Sequence, residues 1–424
     1  MNRRTFLSSA VAAAATGWAG RSHEAEKPII DRDEIVAFAG ELVRIPSFTT
    51  EETRMAQFLH DFFRREGLES ELQEVDRGRF QTMGRLRGIG GGKSLMLNGH
   101  IDIDPIPAGI ERDPWNPTVE GDLLYGAGIA NMKGGLAAMI VATLAVKRAR
   151  TPLRGDVVLA CVVGELQGGA GTVHLLKSGV RADAAIVTEP IGAGTILTKH
   201  AGVMQLAVHV IGRSAHISQK DDGINAILEM GKVADALDTL TFTGERDPEL
   251  PSLPIINVGS IVGGRGRGPE LRGPNIVPDF CSLYMDVRFT RGMTPESVIG
   301  DIRRRLSALA QQDRELVYEI EFPMKPERRC LREVMMPLDV PRDSAFIQML
   351  KGKVLETSGK EPEVGVKLPI SYGGTDTAHL FPAGIPACVY GPAGGSPGDD
   401  QSISVEEMVT CAKVYTAAIE EFCG

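Results

Sequence analysis

The stretch Leu95-Met-Leu-Asn-Gly-His-Ile-Asp102 passes from a short apolar run into a histidine and a carboxylate two positions apart. The apolar run at 93–97 is bounded by turn residues, which indicates a buried strand. Because residues i and i+2 of a strand face the same way, Asp102 is expected to hydrogen-bond the ring nitrogen of His100 that does not hold a metal. On its own this pair is a common surface combination, so the neighbouring patterns decide its meaning.

Two further acidic residues follow apolar runs downstream. The run at 157–163 precedes Glu165, and a shorter run precedes Glu189. An Ala-rich apolar helix at 132–148 lies between the first two strands, which gives the strand, helix, strand order of a wound α/β sheet. Such sheets place their binding sites at the carboxyl ends of the strands. The histidine at position 100 and both glutamates are therefore predicted to meet at one edge of the sheet.

A different rhythm begins near residue 199. Its predicted elements are, in chain order, a strand at 204–211, a helix at 223–240, strands at 254–262 and 281–289, a helix at 294–311 and a strand at 316–322. This βαββαβ order is typical of a small sheet with two helices on one face. The first rhythm returns from about 337. We therefore expect a catalytic domain in two parts, 27–198 and 326–424, around an inserted domain at 199–325.

Composition sets broad limits on the partners of the protein. Its 424 residues, 43% of them hydrophobic and 49 of them glycine, suit a globular enzyme with two domains and many tight turns. The net charge of -9 argues against a nucleic acid or an anionic membrane as a partner, since both would need a basic face. We find no run of about 18 apolar residues that would span a membrane. The six scattered cysteines, without a CxxC pair, are expected to be buried thiols.

The N-terminus has the layout of an export signal. Arg3 and Arg4 precede an apolar, Ala-rich run that ends near Trp18, an arrangement that resembles a twin-arginine signal. A frayed Ala-rich helix is the alternative interpretation. We expect residues 1–26 to be the signal and the protein to be exported or periplasmic; without use of the signal it would be cytoplasmic.

Eight motifs in a fixed order make the chain similar to a family of metallohydrolases. They are Asn98-Gly-His-Ile-Asp102, Gly126-x-Gly-x-x-Asn-Met-Lys-Gly-Gly135, Glu165 before a Gly-Gly pair, Glu189-Pro190, Gly212-Arg-Ser-Ala-His216, Asn275-Ile-Val-Pro278, Asp286-Val-Arg-Phe289 and Gly373-Gly-Thr-Asp376. The family includes aminoacylases, carboxypeptidase G and succinyl-diaminopimelate desuccinylase, and the likeness covers the chain from about Pro28. The resemblance implies a zinc-peptidase-like wound sheet with an inserted lid that often mediates dimerisation, and hence a homodimer.

The resemblance also implies a metal centre, in which one ion is held by His100, a bridging aspartate and Glu189. This chain has Asn131 at the bridge position, Leu166 at a ligand position of the second ion and, by a looser alignment, Pro397 at the other. Leucine and proline offer no donor atom, and an asparagine oxygen is neutral. The sequence therefore predicts one divalent ion, Zn, Mn or Co, on His100, Asn131 and Glu189, with more net positive charge than two carboxylates would leave it.

The family likeness assigns roles to further residues. It implies that Glu165 is the general base that takes a proton from water and returns it to the leaving nitrogen. His216 would stabilise the oxyanion from the lid or across a dimer, and Asp102 would orient the metal-binding histidine. The implied substrate contacts are Asn275, Arg288, Gly373, Gly374 and Thr375. Arg288 could grip a carboxylate with its fork, or equally lie in an ion pair on the sheet surface. His200 and His379 are interpreted as ordinary polar positions, with a further metal ligand as the alternative.

Three functions follow from this pattern. The first is one-metal hydrolysis of a C–N bond in a small carboxylate-bearing substrate, such as an N-acyl amino acid or a small peptide. The second is hydrolytic deamination of an activated aromatic amine such as a nitroanthranilate, which would need no bimetallic clamp. The third is a noncatalytic relative that binds a ligand between lid and body, against which the retention of Glu165 beside His100 and Glu189 speaks.

Overall fold

The computed structural model describes residues 27–268, 275–324, 333–394 and 401–424. The predicted export signal at 1–26 and the predicted ligand replacement at Pro397 lie outside the described residues. The helices are α1 (Arg32–Val43), α2 (Thr53–Arg65), α3 (Gly134–Ala149), α4 (Ala170–Lys177), α5 (Ala226–Asp238), α6 (Pro295–Gln312), α7 (Ala345–Ser358), α8 (Thr377–Leu380) and α9 (Val405–Cys423).

The strands alternate with these helices along the chain. They are β1 (Glu69–Asp76), β2 (Arg79–Leu86), β3 (Leu95–His100), β4 (Thr118–Glu120), β5 (Leu123–Tyr125), β6 (Val157–Val162), β7 (Ala184–Val187), β8 (Thr195–Leu197), β9 (Lys199–His200), β10 (Gly202–Ile211), β11 (Ile255–Gly264), β12 (Phe280–Phe289), β13 (Val317–Glu321), β14 (Leu338–Asp339), β15 (Glu363–Gly365), β16 (Ala387–Val389) and β17 (Ser402–Ser404).

The larger sheet has the strand order β1-β2-β6-β3-β7-β16-β8-β15. Strand β3 pairs in parallel with both β6 and β7, while β2 joins β6 in the antiparallel direction. Every residue of β3, β6 and β7 is buried, as expected of strands covered on both faces. The predicted wound α/β sheet is confirmed, and its antiparallel strands make it a mixed sheet.

Helix α3 is the central core helix of this sheet. Its small side chains allow close packing, and a Cβ atom at Gly135 would lie 2.2 Å from the backbone oxygen of Thr188. Only glycine fits where the start of the helix approaches the end of β7, directly before Glu189. The segment Ile129–Ala149 is long and apolar enough to cross a membrane, but 94% of its apolar window is buried inside the protein, which is typical of a core helix.

The second sheet has the order β11-β12-β10-β13 and is antiparallel throughout. Helix α5 packs on the strands of this sheet and against α6, and the elements follow the predicted βαββαβ order. Its buried side chains, among them Leu206, Val233, Leu283 and Ile302, form a hydrophobic cluster of their own. The lid role of this unit and its exact boundaries remain predictions.

The described cysteines are buried free thiols, as predicted. They are Cys161, Cys281, Cys388, Cys411 and Cys423. Burial raises the pKa of these thiols, so each is a packing residue and a poor nucleophile at neutral pH.

Candidate active site

Three polar side chains converge where three neighbouring strands end. His100 is the last residue of β3, Glu165 follows β6 and Glu189 follows β7. Because these strands are parallel and adjacent, their carboxyl ends share one edge of the sheet. One ligand atom from each of the three residues lies within 4.8 Å of the others, and all three residues are buried. The predicted meeting of these residues is therefore observed.

Asn131 completes this cluster. It lies in the short turn Ile129–Lys133 that leads into α3, and its peptide bond to Met132 is cis. The Asn131 Oδ1 atom is 3.1 Å from His100 Nε2, and the Glu189 Oε1 atom is 3.6 Å from the same nitrogen. Asn131 and Glu189 thus face the ring nitrogen that the sequence assigned to a metal.

Asp102 plays a different part from the predicted one. His100 Nδ1 donates to the backbone carbonyl of Asp102 at 2.8 Å, whereas the carboxylate oxygen is 3.6 Å from that nitrogen. The carboxylate instead accepts the backbone N–H groups of Glu165 and Leu166, each at 3.2 Å. The two-residue alternation fails because β3 ends at His100. The backbone of Asp102 sets the histidine tautomer, and its side chain fixes the turn that carries Glu165.

The cluster lies in a strongly negative environment. Burial alone would lower the pKa of His100, but Glu189, Asp102, Glu165 and Asp376 together raise it to about 10. Burial and the nearby Glu189 raise the pKa of Glu165 well above its ordinary value. Burial likewise raises the pKa of Asp376 to about 7. This excess of carboxylates favours a cation at the centre of the cluster.

The donor set fits a divalent metal ion. It offers the imidazole nitrogen Nε2 of His100. The carboxylates of Glu165 and Glu189 and the amide oxygen of Asn131 lie close to this nitrogen. Such nitrogen and oxygen donors suit Zn and other first-row divalent ions. Leu166, next to Glu165, is half-buried and has no donor atom in its side chain. The described residues therefore include donors that could hold a divalent ion at this position.

Loop 373–375 is brought to the cluster. Asn131 and Glu189 border a cavity of about 160 Å³. The other residues that line it are Pro190, Ile191, Leu197, His200, Ile370, Gly373, Gly374 and Thr375. The three predicted loop residues are thus placed where they can contact a substrate.

Among the described residues, no contact is found between the cluster and the three residues predicted from the inserted unit, His216, Asn275 and Arg288. His216 and Asn275 are exposed. His216 Nδ1 accepts the backbone N–H of Ser218 at 3.2 Å, so the neutral ring carries its proton on Nε2. Arg288 forms an ion pair with Asp286, with contacts of 2.5 and 3.2 Å, and donates to the Tyr372 carbonyl at 3.4 Å. For Arg288 the ion-pair alternative is therefore the one observed.

The two extra histidines are held by other partners. His200 Nδ1 donates to the Ala201 carbonyl at 2.7 Å, so its Nε2 accepts from the Thr377 hydroxyl at 2.7 Å. Burial lowers the pKa of His200 to about 4, which keeps the ring neutral. His379 Nε2 donates to the Gly168 carbonyl at 2.6 Å. Both ring nitrogens of His200 are thus engaged within the protein, while its side chain also lines the cavity beside Asn131 and Glu189. The interpretation of both histidines as ordinary polar positions remains a prediction.

Sequence reasoning missed a buried ionic network behind the Glu165 turn. Arg79 donates to both carboxylate oxygens of Glu52, at 2.9 and 2.5 Å, and to Gln167 Oε1 at 2.7 Å. The Arg79 and Glu52 side chains are only 6% and 0% exposed. Glu52 lies 27 positions and Gln167 88 positions from Arg79 along the chain, so no local pattern connects them. The network contacts the turn through Gln167, in addition to the contacts that Asp102 makes with it.

Replacing Arg79 by methionine is expected to lower the free energy of unfolding by about 3–5 kcal/mol, because the buried Glu52 charge would lose its partner. Urea denaturation measures this loss. The double variant Arg79→Met with Glu52→Gln should recover part of it. Arg87→Met removes an exposed guanidinium that pairs with Glu69 and Asp156; it is the control for the loss of a surface arginine and should change stability by no more than about 1 kcal/mol. Equal losses in the two single variants would contradict a special role for the buried network.

Comparison with known proteins places this site in a family. Residues 96–421 match the sequence model of peptidase family M20/M25/M40. The chain is 25% identical over 432 residues to N-formyl-4-amino-5-aminomethyl-2-methylpyrimidine deformylase of Bacillus subtilis, with 93% of this chain and 95% of the relative covered. It is 26% identical over 407 residues to succinyl-diaminopimelate desuccinylase of Methylobacterium radiotolerans, with 92% and 97% covered.

A solved structure shows the same fold. The YXEP protein of Bacillus subtilis, described as a dinuclear metal-binding peptidase of the M20 family, superimposes with a TM-score of 0.64. The alignment covers 92% of this chain and 98% of that protein, at 16% identity. At this identity the likeness concerns the fold, and the number of ions stated for that protein is its own.

Proposed function

The chain belongs to peptidase family M20/M25/M40 and is a hydrolase of C–N bonds, and from this premise we propose that it cleaves the amide bond of a small N-acyl compound with a single divalent ion. The observation that carries the proposal is the convergence of His100, Glu165 and Glu189 within 4.8 Å, with Asn131 facing the same histidine nitrogen. Zn, Mn and Co all suit this donor set.

The proposed chemistry divides the cluster into ligands and a base. His100, Asn131 and Glu189 would hold the ion, which when bound supplies a Lewis acid that polarises the amide carbonyl and acidifies water. Glu165 takes the proton from water as the C–O bond forms and delivers it to nitrogen as the C–N bond breaks. The raised pKa of Glu165 suits this exchange, since a carboxyl group must carry the proton between the two steps.

The single-ion part of the proposal rests on two substitutions in the described residues. Asn131 presents a neutral amide where a bridge between two ions would need a carboxylate. Leu166 places an aliphatic side chain directly after the base. Both changes lower the negative charge that could hold a second ion, while the donors of the first remain.

Completion of the site requires a donor for the developing oxyanion. We propose that His216 supplies it through Nε2, which its contact with Ser218 leaves protonated in the neutral ring. Since His216 is exposed and outside the cluster, it would reach the substrate by closure of the inserted unit or from a second copy of the chain. The homodimer expected from the sequence is consistent with the exposed apolar side chains on α5 and β11, which are Ile227, Leu228, Ile255, Ile261 and Val262.

Substrate class is proposed from the relatives and from Arg288. The two named relatives remove a formyl and a succinyl group, and the desuccinylase acts on a carboxylate-bearing compound. We propose N-acyl amino acids and N-acyl amines as the substrates of this chain. A substrate carboxylate would have to draw Arg288 away from Asp286, so amides without a carboxylate belong in the same screen.

The test is a turnover screen of the purified protein loaded with Zn, Mn or Co. N-formyl, N-acetyl and N-succinyl derivatives of amino acids and of simple amines are incubated with it, and free primary amine is measured. We expect amine release from at least one derivative and none after chelation of the metal. Release of ammonia from aminobenzoates alone would replace this proposal by the deaminase hypothesis. Binding of these compounds without any turnover would support the noncatalytic alternative.

A further inference from the structure

A second and larger cavity lies beside the base. It has a volume of about 420 Å³ and shares no lining residue with the 160 Å³ cavity described above. Two of its lining residues, Leu166 and Gln167, directly follow Glu165. A third, Thr49, donates its hydroxyl to Asp102, which fixes the same turn. None of the cluster residues is among the described residues that line this cavity; it adjoins the turn that carries Glu165, the group that would protonate a leaving nitrogen. We call it the Phe48 cavity.

The walls of the Phe48 cavity are largely apolar. Phe48, Pro105, Ile106 and Leu166 contribute to its surface. The Phe48 ring is fixed by an edge-on contact with Trp115, with ring centroids 5.6 Å apart and an interplanar angle of 83°. An aromatic ring fixed in this way can pack against a flat group or the face of a cation. The cavity thus suits a flat apolar group in an amphipathic ligand.

The loop that carries Phe48 is held in one conformation. Thr50 has a φ of 82°, which costs a non-glycine residue of the order of 1–3 kcal/mol. Its N–H donates to Glu52 at 3.0 Å, and Glu52 is the buried partner of Arg79. The ionic network that braces the Glu165 turn therefore also fixes this wall, so the cavity is preformed for a ligand.

The charged side chains that line the Phe48 cavity are acidic. Glu51 and Asp104 line it, and none of the described lining residues is Lys, Arg or His. Burial raises the pKa of Asp104, and the nearby His100 acts in the opposite direction. Arg79 lies behind Gln167 and is occupied by Glu52 and by the Gln167 side-chain oxygen. A ligand with a carboxylate would meet repulsion here, while an ammonium group would gain a charge-assisted contact.

We propose that the Phe48 cavity binds the amine half of the substrate, and that this half is an aromatic or apolar group that carries a second, protonated amine. This narrows the substrates proposed above to N-acyl amines whose amine half has no carboxylate. The inference rests on the proposed function, since the amide nitrogen must lie at Glu165. The ring would pack on Phe48 and Pro105, with the ammonium group near Asp104. After cleavage the cavity holds a diamine product, and the acyl group leaves from the opposite side of the scissile bond.

Equilibrium binding to the metal-loaded protein tests this without turnover. Calorimetry compares benzylamine, benzyl alcohol and benzoate, and benzyltrimethylammonium serves as a cationic probe that cannot coordinate a metal. Because Glu51 and Asp104 are exposed, we expect both cations to bind about two- to five-fold more tightly than the alcohol, and the benzoate more weakly than the alcohol. Asp104→Asn should remove most of this preference, while Asp343→Asn, at an exposed site elsewhere, should leave it intact.

A second variant locates the binding. Ile106→Trp should fill the Phe48 cavity and weaken all of the aromatic probes together, with the circular dichroism spectrum unchanged. Equal affinity for cationic and neutral probes, or a cation preference that survives Asp104→Asn, would overturn the inference. If amides are hydrolysed but the cation preference is missing, this inference alone fails. If the cations bind as expected but no amide is cleaved, the proposed function fails instead.

Discussion

Glu165→Gln is expected to lower kcat by about 10²–10⁴-fold, the range that a positioned general base contributes. Glutamine has nearly the same shape, so the backbone contacts of the turn with Asp102 should persist. It cannot accept the proton of water and deliver it to the leaving nitrogen. Steady-state kinetics on the best amide from the substrate screen, with KM measured separately, provides the test.

The Glu165→Gln variant also distinguishes a role of Glu165 as general base from a role as metal ligand. Glu165 has an oxygen within 4.8 Å of the donor atoms of His100 and Glu189, so it could also bind the ion. If Glu165 acts as the base, the Glu165→Gln variant retains the metal. If Glu165 is a metal ligand, the variant loses the metal together with the activity. Glu363→Gln, at an exposed glutamate of β15, is the control for the loss of one surface charge. Turnover that survives Glu165→Gln would show that the base has been misassigned.

His100→Ala is expected to abolish both metal binding and turnover. Its Nε2 atom is the point that Asn131 and Glu189 face, at 3.1 and 3.6 Å, so its removal opens the centre of the donor set. The loss of affinity should exceed the roughly 10–100-fold that is typical of losing a partner behind a metal ligand. Thermal unfolding with and without added metal measures it, since an ion at 100 times its Kd stabilises the folded state by about 2.7 kcal/mol.

His216→Ala is the matched control for that experiment. It removes an imidazole that is exposed and outside the cluster, so the stabilisation by metal should remain. If His216 supplies the oxyanion donor as proposed, kcat falls in this variant while metal affinity does not. Metal-induced stabilisation that persists in His100→Ala would place the ion elsewhere and contradict the assignment of the site.

The sequence allowed much of the fold to be predicted, because the decisive patterns are local. Each of the apolar runs before His100, Glu165 and Glu189 corresponds to one buried strand. Parallel pairing of those strands brings the three polar side chains together. The βαββαβ order could likewise be read from alternating periodicities. What these elements share is that each is specified by fewer than about 20 consecutive residues.

The contacts that could not be predicted depend on the path of the chain between elements. The Asp102 prediction was wrong because it extended strand geometry beyond the last residue of β3. The pair of Arg79 with Glu52 joins distant positions and leaves no local signal. The pair of Arg288 with Asp286 could have been favoured from the sequence, since residues two apart on β12 share a face.

The central claim is that one divalent ion serves this site, and its most direct test is the metal content of the purified protein. The protein is loaded with excess Zn, Mn or Co, freed of unbound metal by gel filtration and analysed by inductively coupled plasma mass spectrometry against protein concentration. We predict one tightly bound ion per chain, lost in His100→Ala. Two tightly bound ions per chain would contradict the account, because Asn131 and Leu166 would then not have removed the second site.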